Sequence, residues 1–577
     1  MGKNKEKGKK LTGLKLYLLV ILLDILFGGI WYYVTFPALN IHNQQFWFIL
    51  IFIITADTFV IALSHIGSFA SRKLTGREVL KKMGKDALTV LFIDAAIILV
   101  VIIGTIAGMP LLRSRAYASL LKVENREFSE DIPQSESVTN IALMDTESAR
   151  VFGNREIGSL SDVVSQYEVE SEYNQINLDG TPKKVAPLKY ASFFKWIKNR
   201  SNGIPGYVEV DPVNSDADYK KVKNGMTYVP SGYLNDNLMR HVQFQYPTKI
   251  IGGYYFEIDD EGNPFFLCPC MSAKVGLFDG MDVVGAILCD PVTGKSSYYA
   301  LKDIPQWIDR VFDGDLCTRK YDWRGLYSKG YWNSIISQTG CTKTTADYGY
   351  ITLEDDVWIY TGVTSLNSDQ SNVGFVMINE RTSEARYYTV SGAEEYSAMK
   401  SAEGTVQEKK YDASFPCLIN VNGQPTYIMV LKDSGGLVKM YAMVNVEQYN
   451  VVATGTTQAD VFANYKKKMK TEGNKTGSSN SENPVEDEVS VVLTISDIQY
   501  IVSDGETTVY LKDSTGKVYK QAFAENEELI TLNVGDRIKA YIVEEEDVSI
   551  ITMTGFEMIS KGSVNTPIVS ADEADTI

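Results

Sequence analysis

The chain has 577 residues, 45% hydrophobic and 22% charged, with 44 Gly and 17 Pro, which excludes collagen-like, disordered and disulfide-dense miniprotein classes. Residues 1–109 carry 12 Lys+Arg against 6 Asp+Glu and the remainder 44 against 66, so a basic head of net +6 precedes a body of net −22. That division excludes a simple cytosolic enzyme, and only three His (His42, His65, His241) exclude chemistry built on several histidines; the body's lack of surplus Lys/Arg argues against non-specific nucleic-acid binding by it.

Three apolar runs open the chain: Leu14–Phe36, Phe46–Ile66 and Ala87–Met109. Each is long enough to cross a hydrocarbon core of ~30 Å as a helix. The first ends in Trp31, Tyr32, Tyr33 and Phe36, an aromatic belt that marks a retained anchor rather than a cleaved leader. Lysines crowd the first 15 residues, the loop Pro37–Gln45 has no Lys or Arg, and Gly67–Asp86 is again basic. The positive-inside rule then places the amino terminus in the cytoplasm and everything beyond residue 110 outside. Each span contains one aspartate (Asp24, Asp57, Asp94), and each costs about 2.5–3.5 kcal/mol on insertion scales. Protonation, mutual hydrogen bonding or a bound cation would offset that cost, so the three define a candidate intramembrane polar site.

Beyond the spans the sequence repeats. Gly285–Leu301 (GAILCDPVTGKSSYYAL) and Gly374–Val390 (GFVMINERTSEARYYTV) align without a gap, sharing the glycine, a threonine and a Tyr-Tyr pair. Gly206–Val222 fits the same frame, and weaker copies start at Ile141 and Tyr441. Each copy reads as strand, polar turn, strand. Further hairpins are expected at Tyr255–Cys268 and Cys417–Leu431, and helices at Asp303–Phe312, Ala393–Ala402 and Thr457–Met469. One hairpin is marginal alone, so stacked units would share a core.

The Asp-Pro-x-Thr-Gly turn within this hairpin–hairpin–helix pattern resembles the PepSY type of bacterial envelope module. The segments Arg240–Thr248 (RHVQFQYPT), Phe256–Pro264, Gly392–Met399 and Leu437–Val446 resemble an uncharacterised group of Firmicutes membrane proteins, loosely labelled cell-shape or CvpA-like. That resemblance implies placement in a bacterial envelope and brings no reaction with it.

Residues 470–488 are a polar Gly/Ser/Asn-rich linker. After it, strands are expected at Val489–Val502, Thr507–Leu511, Val518–Phe523, Arg537–Val543 and Val548–Phe556, with a short helix at Asn526–Leu529, the order of an OB-like barrel, with an SH3-like barrel as the alternative. Between Val489 and Glu557 it carries 5 Lys+Arg against 13 Asp+Glu, which favours glycan, protein or a structural role over nucleic acid.

Other motifs carry little. The six cysteines (Cys268, Cys270, Cys289, Cys317, Cys341, Cys417) allow disulfides, Cys317 with Cys341 first, or serve as small buried hydrophobes; their spacing matches no metal site. Lys432–Gly436 (KDSGG) has the look of a serine-protease motif without its partners and reads as a turn. The acid pairs Asp259-Asp260 and Asp355-Asp356 read as solvated turns, with glycan hydrolysis as the chemical alternative. The cluster Tyr321, Trp323, Tyr327, Tyr331 and Trp332 is a candidate surface for a protein or glycan partner.

The expected architecture is therefore α+β: three transmembrane helices (1–110), a repeat body (111–250 and 251–469), the linker (470–488), the barrel (489–561) and a disordered tail (562–577). The expected role is a membrane-anchored extracytoplasmic scaffold or binding protein, with no catalytic residues, cofactor or metal, and partners in the bilayer and the envelope. An ion- or proton-coupled transport or signalling component using the aspartates is the first alternative, and an envelope glycan hydrolase the second.

Overall fold

The structure is a computed structural model describing residues 13–66, 85–138, 141–178, 180–366, 368–476, 489–503, 506–523, 526–542 and 550–562. The basic segments 1–12 and 67–84, most of the linker and the tail lie outside the described residues. Two compact units divide the chain, Met1–Thr476 and Gly477–Ile577.

The three apolar runs form helices Gly13–Thr35, Gln44–Ile66 and Lys85–Gly108, each long and apolar enough to cross a membrane. Their side chains are mostly exposed to the surroundings, as lipid-facing residues must be. The turn after the first helix docks on the body: the Leu39 amide donates to the Pro247 carbonyl (2.7 Å), and Asn40 Nδ2 to that of Thr248 (2.9 Å). At the far end of the third helix, Gly108 packs against Gly276 with no room for a Cβ at Gly276. One end of the helix bundle is therefore joined to the body at two points.

Four antiparallel sheets of the body follow one another in sequence, and each is built alike. Two short strands pair end to end along one edge of a long strand, which continues into a second long strand and an outer one. In the second sheet these are Ile250–Ile251, Tyr255–Ile258, Pro264–Val275, Asp279–Cys289 and Ser296–Ala300. In the fourth they are Asp412–Ala413, Cys417–Val421, Gln424–Lys432, Val438–Asn445 and Val452–Gly455. A helix follows every outer strand: Leu238–Gln245, Gly314–Tyr327, Glu395–Thr405 and Gln458–Thr476. Val123–Arg126, just past the third membrane helix, adds a parallel strand to the edge of the third sheet at Ala385–Tyr388.

The sequence repeat is the hairpin of the last two strands, and its shared residues have a common structural reason. Tyr219, Tyr298 and Tyr387, each thirteen residues after Gly206, Gly285 and Gly374, lie across those glycines, where a Cβ would meet the ring or hydroxyl at 2.4–2.6 Å. At the turn, Asp211, Asp290 and Asn379 each accept two backbone N–H bonds from the next residues but one and two, for example Val292 (2.8 Å) and Thr293 (3.2 Å) on Asp290. Side-chain acceptors of this kind stand in for a backbone turn.

Because the sheets stack face to face, their long strands are apolar on both sides. In Gln424–Lys432, Tyr427, Met429 and Leu431 enter a core shared with the third sheet, whereas Ile428 and Val430 enter one shared with helix Gln458–Thr476. Trp358 and Tyr360 of the third sheet face the fourth, and Ile359 and Val376 face the second. Strands buried on both faces lose the alternation that marks a half-exposed one.

Three expectations are corrected. The copy expected at Ile141 is instead a loop entering helix Thr146–Gly158, because Asp145 caps it by accepting the Ser148 N–H (2.8 Å). The helix expected at Asp303–Phe312 starts later, at Gly314–Tyr327. Pro305 disfavours helical backbone at Ile304, so the segment runs irregularly, burying Ile304, Ile308, Val311 and Phe312, and Asp313 caps the helix instead. The last body helix runs on to Thr476, into the segment read as linker.

In the second unit, strands Val489–Ser503, Glu506–Asp513, Val518–Ala522, Arg537–Ile542 and Ile550–Ser560 pair in a closed ring, in the order first, second, third, fifth, fourth. A short 3₁₀ helix, Glu527–Thr531, sits between the third and fourth. Leu493, Leu511, Tyr519, Leu529 and Ile538 fill its interior.

Candidate functional site

A cavity of about 800 Å³ opens where elements of the first, third and fourth sheets converge. From the first sheet comes Lys184, in the middle of strand Thr181–Tyr190; from the helix before it, Asp145 and Thr146. The third sheet supplies Tyr350 and, just before its strand, Asp347 and Tyr348; the helix after it supplies Tyr396. The fourth sheet brings Lys432 and the turn Asp433–Gly436.

Lys432 Nζ donates to Asp145 Oδ2 at 2.6 Å, joining the last sheet to the helix that precedes the first. Burial pushes the Asp145 carboxyl up, but its bonds from Lys432 and Ser148 outweigh that and hold it below the usual carboxylate range. Lys184 Nζ bonds Thr146 Oγ1 (3.4 Å) and lies 5.4 Å from the centroid of the Tyr350 ring. Burial, opposed by the negative charge of Asp145, brings its pKa down to about 8. The site therefore offers a lysine whose charge is cheap to remove, a lysine–aspartate ion pair and several tyrosine rings. That combination suits a ligand with polar edges and at least one apolar face.

Deeper in the body is a sealed polar knot. Arg310 NH1 donates to Asn174 Oδ1 (3.3 Å), its guanidinium lies 4.3 Å from the Tyr255 ring centroid, and its Nε is 3.8 Å from Glu380 Oε1. Glu257 accepts from Asn174 (2.8 Å) and from the Arg310 amide (3.2 Å), and Asp309 from the Asn177 amide (2.6 Å). Burial pushes Asp309 and Glu380 up to about 8 and Glu257 well above its ordinary value. These carboxyls are almost wholly buried and lie behind the cavity rather than on its wall. Asn174 of the first sheet, Tyr255 of the second and Glu380 at the end of a strand of the third meet at that one guanidinium.

The residues singled out from sequence fare differently. Asp24 and Asp57 face each other across the first and second helices, near enough for their carboxyls to interact. Asp94 is separate: its Oδ2 accepts from Thr55 (2.6 Å), and its Oδ1 is buried without a hydrogen-bond partner among the described residues. Of the five aromatics, Tyr321 is core between the second and third sheets. Trp323 and Tyr327 pack on Tyr117, Tyr331 continues the row, and Trp332 ends it, 65% exposed.

All six cysteines are buried free thiols, so the Cys317–Cys341 bridge is absent; Cys341 Sγ instead faces Asn333 Nδ2 at 3.1 Å. The turn Lys432–Gly436 is a turn, yet it borders the cavity. Asp259 holds its turn by accepting from Asn263 (2.7 Å). Asp356 is not solvated: Arg381 grips it through Nε (2.6 Å) and NH2 (2.7 Å).

Asp145, Lys184 and Tyr350 are not singled out by the sequence, and Lys432 only as part of a turn. Available signals were the Asp-Thr-Glu-Ser cap before a helix and two lysines embedded in or ending apolar strands, TPKKVAPLKY and QPTYIMVLK. A lysine in such a strand points to a polar pocket beside it, since both of these are buried and both line the cavity.

No family model matches the chain, and no curated protein matches it. Among solved structures, an alpha-L-arabinofuranosidase from Lactobacillus brevis is similar at 8% identity and TM-score 0.15, over 66% of this chain and 92% of its own. A levansucrase variant of B. megaterium is similar at 8% identity and TM-score 0.14, over 78% and 98%. Likeness at that level carries no argument about fold or chemistry.

Proposed function

We propose that the protein is a membrane-anchored, non-catalytic binding protein of a bacterial envelope, with its body outside the cell and its ligand in the cavity between the first, third and fourth sheets. The observation that carries this is the cavity itself: about 800 Å³, with Lys184, Lys432, Asp145 and tyrosine rings converging from elements far apart in sequence. A glycan segment fits that chemistry, stacking a sugar face on tyrosine and presenting hydroxyls to charged groups. The basic segments 1–15 and 67–86 support an amino terminus in the cytoplasm, and the joining of the body to the opposite end of the bundle, at Leu39 and Gly108, agrees with it. The resemblance to envelope proteins of Firmicutes and to PepSY modules supports the same placement. We take the acidic barrel to be OB-like, an accessory module for glycan or protein.

The test is calorimetric titration of the full chain in lipid nanodiscs with peptidoglycan and teichoic-acid fragments. Binding that is lost in Lys184→Met and Lys432→Met supports the proposal. Release of cleaved fragments would overturn it in favour of a hydrolase, and binding indifferent to both substitutions would move the site elsewhere.

A second reading, coupled transport or signalling, is favoured by one observation, the buried Oδ1 of Asp94, which has no hydrogen-bond partner among the described residues. Under it, Asp94→Asn abolishes function while insertion and expression persist.

A further inference from the structure

The body exposes few large apolar side chains, and they are not scattered. Among the described residues from 119 to 476, the exposed large apolar side chains outside two patches are Val164, Leu301 and Tyr449. The first patch is Phe193, Phe194 and Ile197 on helix Phe193–Asn199, with Tyr233, Leu234 and Phe244 beside it. The second is Trp332, Ile335 and Ile336, on a single π-helical turn at Asn333–Ser337. Phe194 and Ile336 are 79% and 76% exposed. Grouped exposure of this kind marks an interaction surface.

Both patches are continuous with the ends of membrane helices. Phe193 packs edge-on against Tyr233 (4.9 Å between centroids), and two residues on Asn235 accepts the hydroxyl of Tyr33, in the aromatic belt of the first helix (3.0 Å). Phe244 stacks on Tyr32 of the same belt (5.5 Å), and Arg240 donates from Nε to the Tyr33 carbonyl (2.9 Å). On the other side, Tyr117 donates to the carbonyl of Gly108, at the end of the third helix (2.9 Å). From Tyr117 the row of rings Tyr327, Tyr331, Trp332 leads to the second patch.

Charge points the same way. Although the body is strongly acidic, Ala191–Val208 holds Lys195, Lys198 and Arg200 and no acid, and Trp323–Ala346 holds Arg324, Lys329 and Lys343 and no acid. Arg113 and Arg115 follow the third helix, next to exposed Leu111 and Leu112. Apolar side chains rimmed by Lys and Arg are the composition of segments that lie in a bilayer interface beside anionic headgroups.

We infer that these two patches are feet that enter the headgroup layer of the bilayer holding the three helices, so that the body lies against the membrane on both sides of its anchor. Trp332 and its neighbours then contact lipid rather than a protein or glycan partner. The feet restrain the body's tilt, and the inference is independent of what the cavity binds and of which side of the membrane the body occupies.

The full chain, one copy per nanodisc, tests this with the environment-sensitive fluorophore NBD on Phe194→Cys or Ile336→Cys; the native thiols are buried and compete poorly for label. Leu234→Cys and Ile335→Cys provide second positions in each patch, and Asp260→Cys, in an exposed acidic turn, is the control. Lipids carrying a nitroxide near the headgroup should quench the patch labels severalfold more than the control, and phosphatidylglycerol added to phosphatidylcholine should strengthen the effect. Quenching no greater than the control in both patches would overturn the inference. So would patch labels shielded from water without lipid quenching in discs found to hold two copies, which would make the patches a self-association surface.

Discussion

The Asp145–Lys432 pair joins the first and last parts of the repeat body, so its contribution can be worked out and measured. Lys432 Nζ lies 2.6 Å from Asp145 Oδ2 and 3.8 Å from Glu147 Oε2, with the Lys432, Asp145 and Glu147 side chains 10%, 26% and 83% exposed. Glu147 is solvated and adds little. Breaking a fully buried pair costs 3–5 kcal/mol; with Asp145 a quarter exposed and still holding the Ser148 N–H, Lys432→Met should cost about 2–3 kcal/mol. Asp145→Asn keeps an oxygen on the Ser148 N–H but strands the lysine, a cost of about 3 kcal/mol. Asp145→Ala also loses the cap of helix Thr146–Gly158, about 1 kcal/mol more. Equilibrium guanidinium unfolding of the full chain in detergent reads these values, and the Lys432→Met/Asp145→Asn cycle should give a coupling of about 2 kcal/mol. The Asp145 carboxyl is held below its unfolded value, so this stabilisation is complete above about pH 4 and is lost as the pH falls through the folded pKa. Acidification from pH 5 to pH 3 should therefore cost the wild type more than Lys432→Met. A coupling below about 0.5 kcal/mol would refute the claim that this pair closes the body.

The remaining predictions follow the same geometry. Lys184, pKa about 8 when folded, binds fewer protons than the unfolded chain between about pH 8 and pH 10.5, so it makes stability rise with pH across that window. Lys184→Met should raise stability at pH 7 by about 1–3 kcal/mol and flatten that rise, while abolishing ligand binding, the mark of a residue kept for function. Gly374→Ala should destabilise by about 2–3 kcal/mol, because its Cβ would meet the Tyr388 carbonyl at 2.4 Å. Gly404→Ala, in open space near the end of helix Glu395–Thr405, should stabilise by about 0.5–1 kcal/mol; equal effects at the two glycines would undo the account of the repeat. Arg381→Met leaves the buried Asp356 carboxylate without its two-pronged partner and should cost about 3 kcal/mol in the same unfolding assay, with rescue in Asp356→Asn/Arg381→Met.

Local and periodic features were legible in the sequence because their causes are local. An apolar run of membrane length can be little other than a spanning helix, and the observed helices match those runs within two residues at each end. Gly374, Tyr387 and the Asn379 turn belong to one hairpin, so a close approach within it leaves a fixed spacing in the chain. The first three barrel strands were legible for the same reason, since they pair in hairpins across short turns. Where a local signal competed with another, the stronger prevailed: the cap at Asp145 turned an expected strand into helix, and Pro305 delayed an expected one.

The stacking of the sheets, and with it the candidate site, was decided by tertiary structure alone. Lys432 meets Asp145 across 287 positions, and Asn174 meets Arg310 across 136. No pattern in the chain records which face of a two-sided apolar strand meets which neighbour, because both faces are equally apolar. The same applies to the aromatic segment Tyr321–Trp332: composition makes its rings equivalent, and only the packing of helix Gly314–Tyr327 buries Tyr321 and leaves Trp332 at the surface. Burial is a property of what lies opposite a side chain, and what lies opposite comes from elsewhere in the sequence.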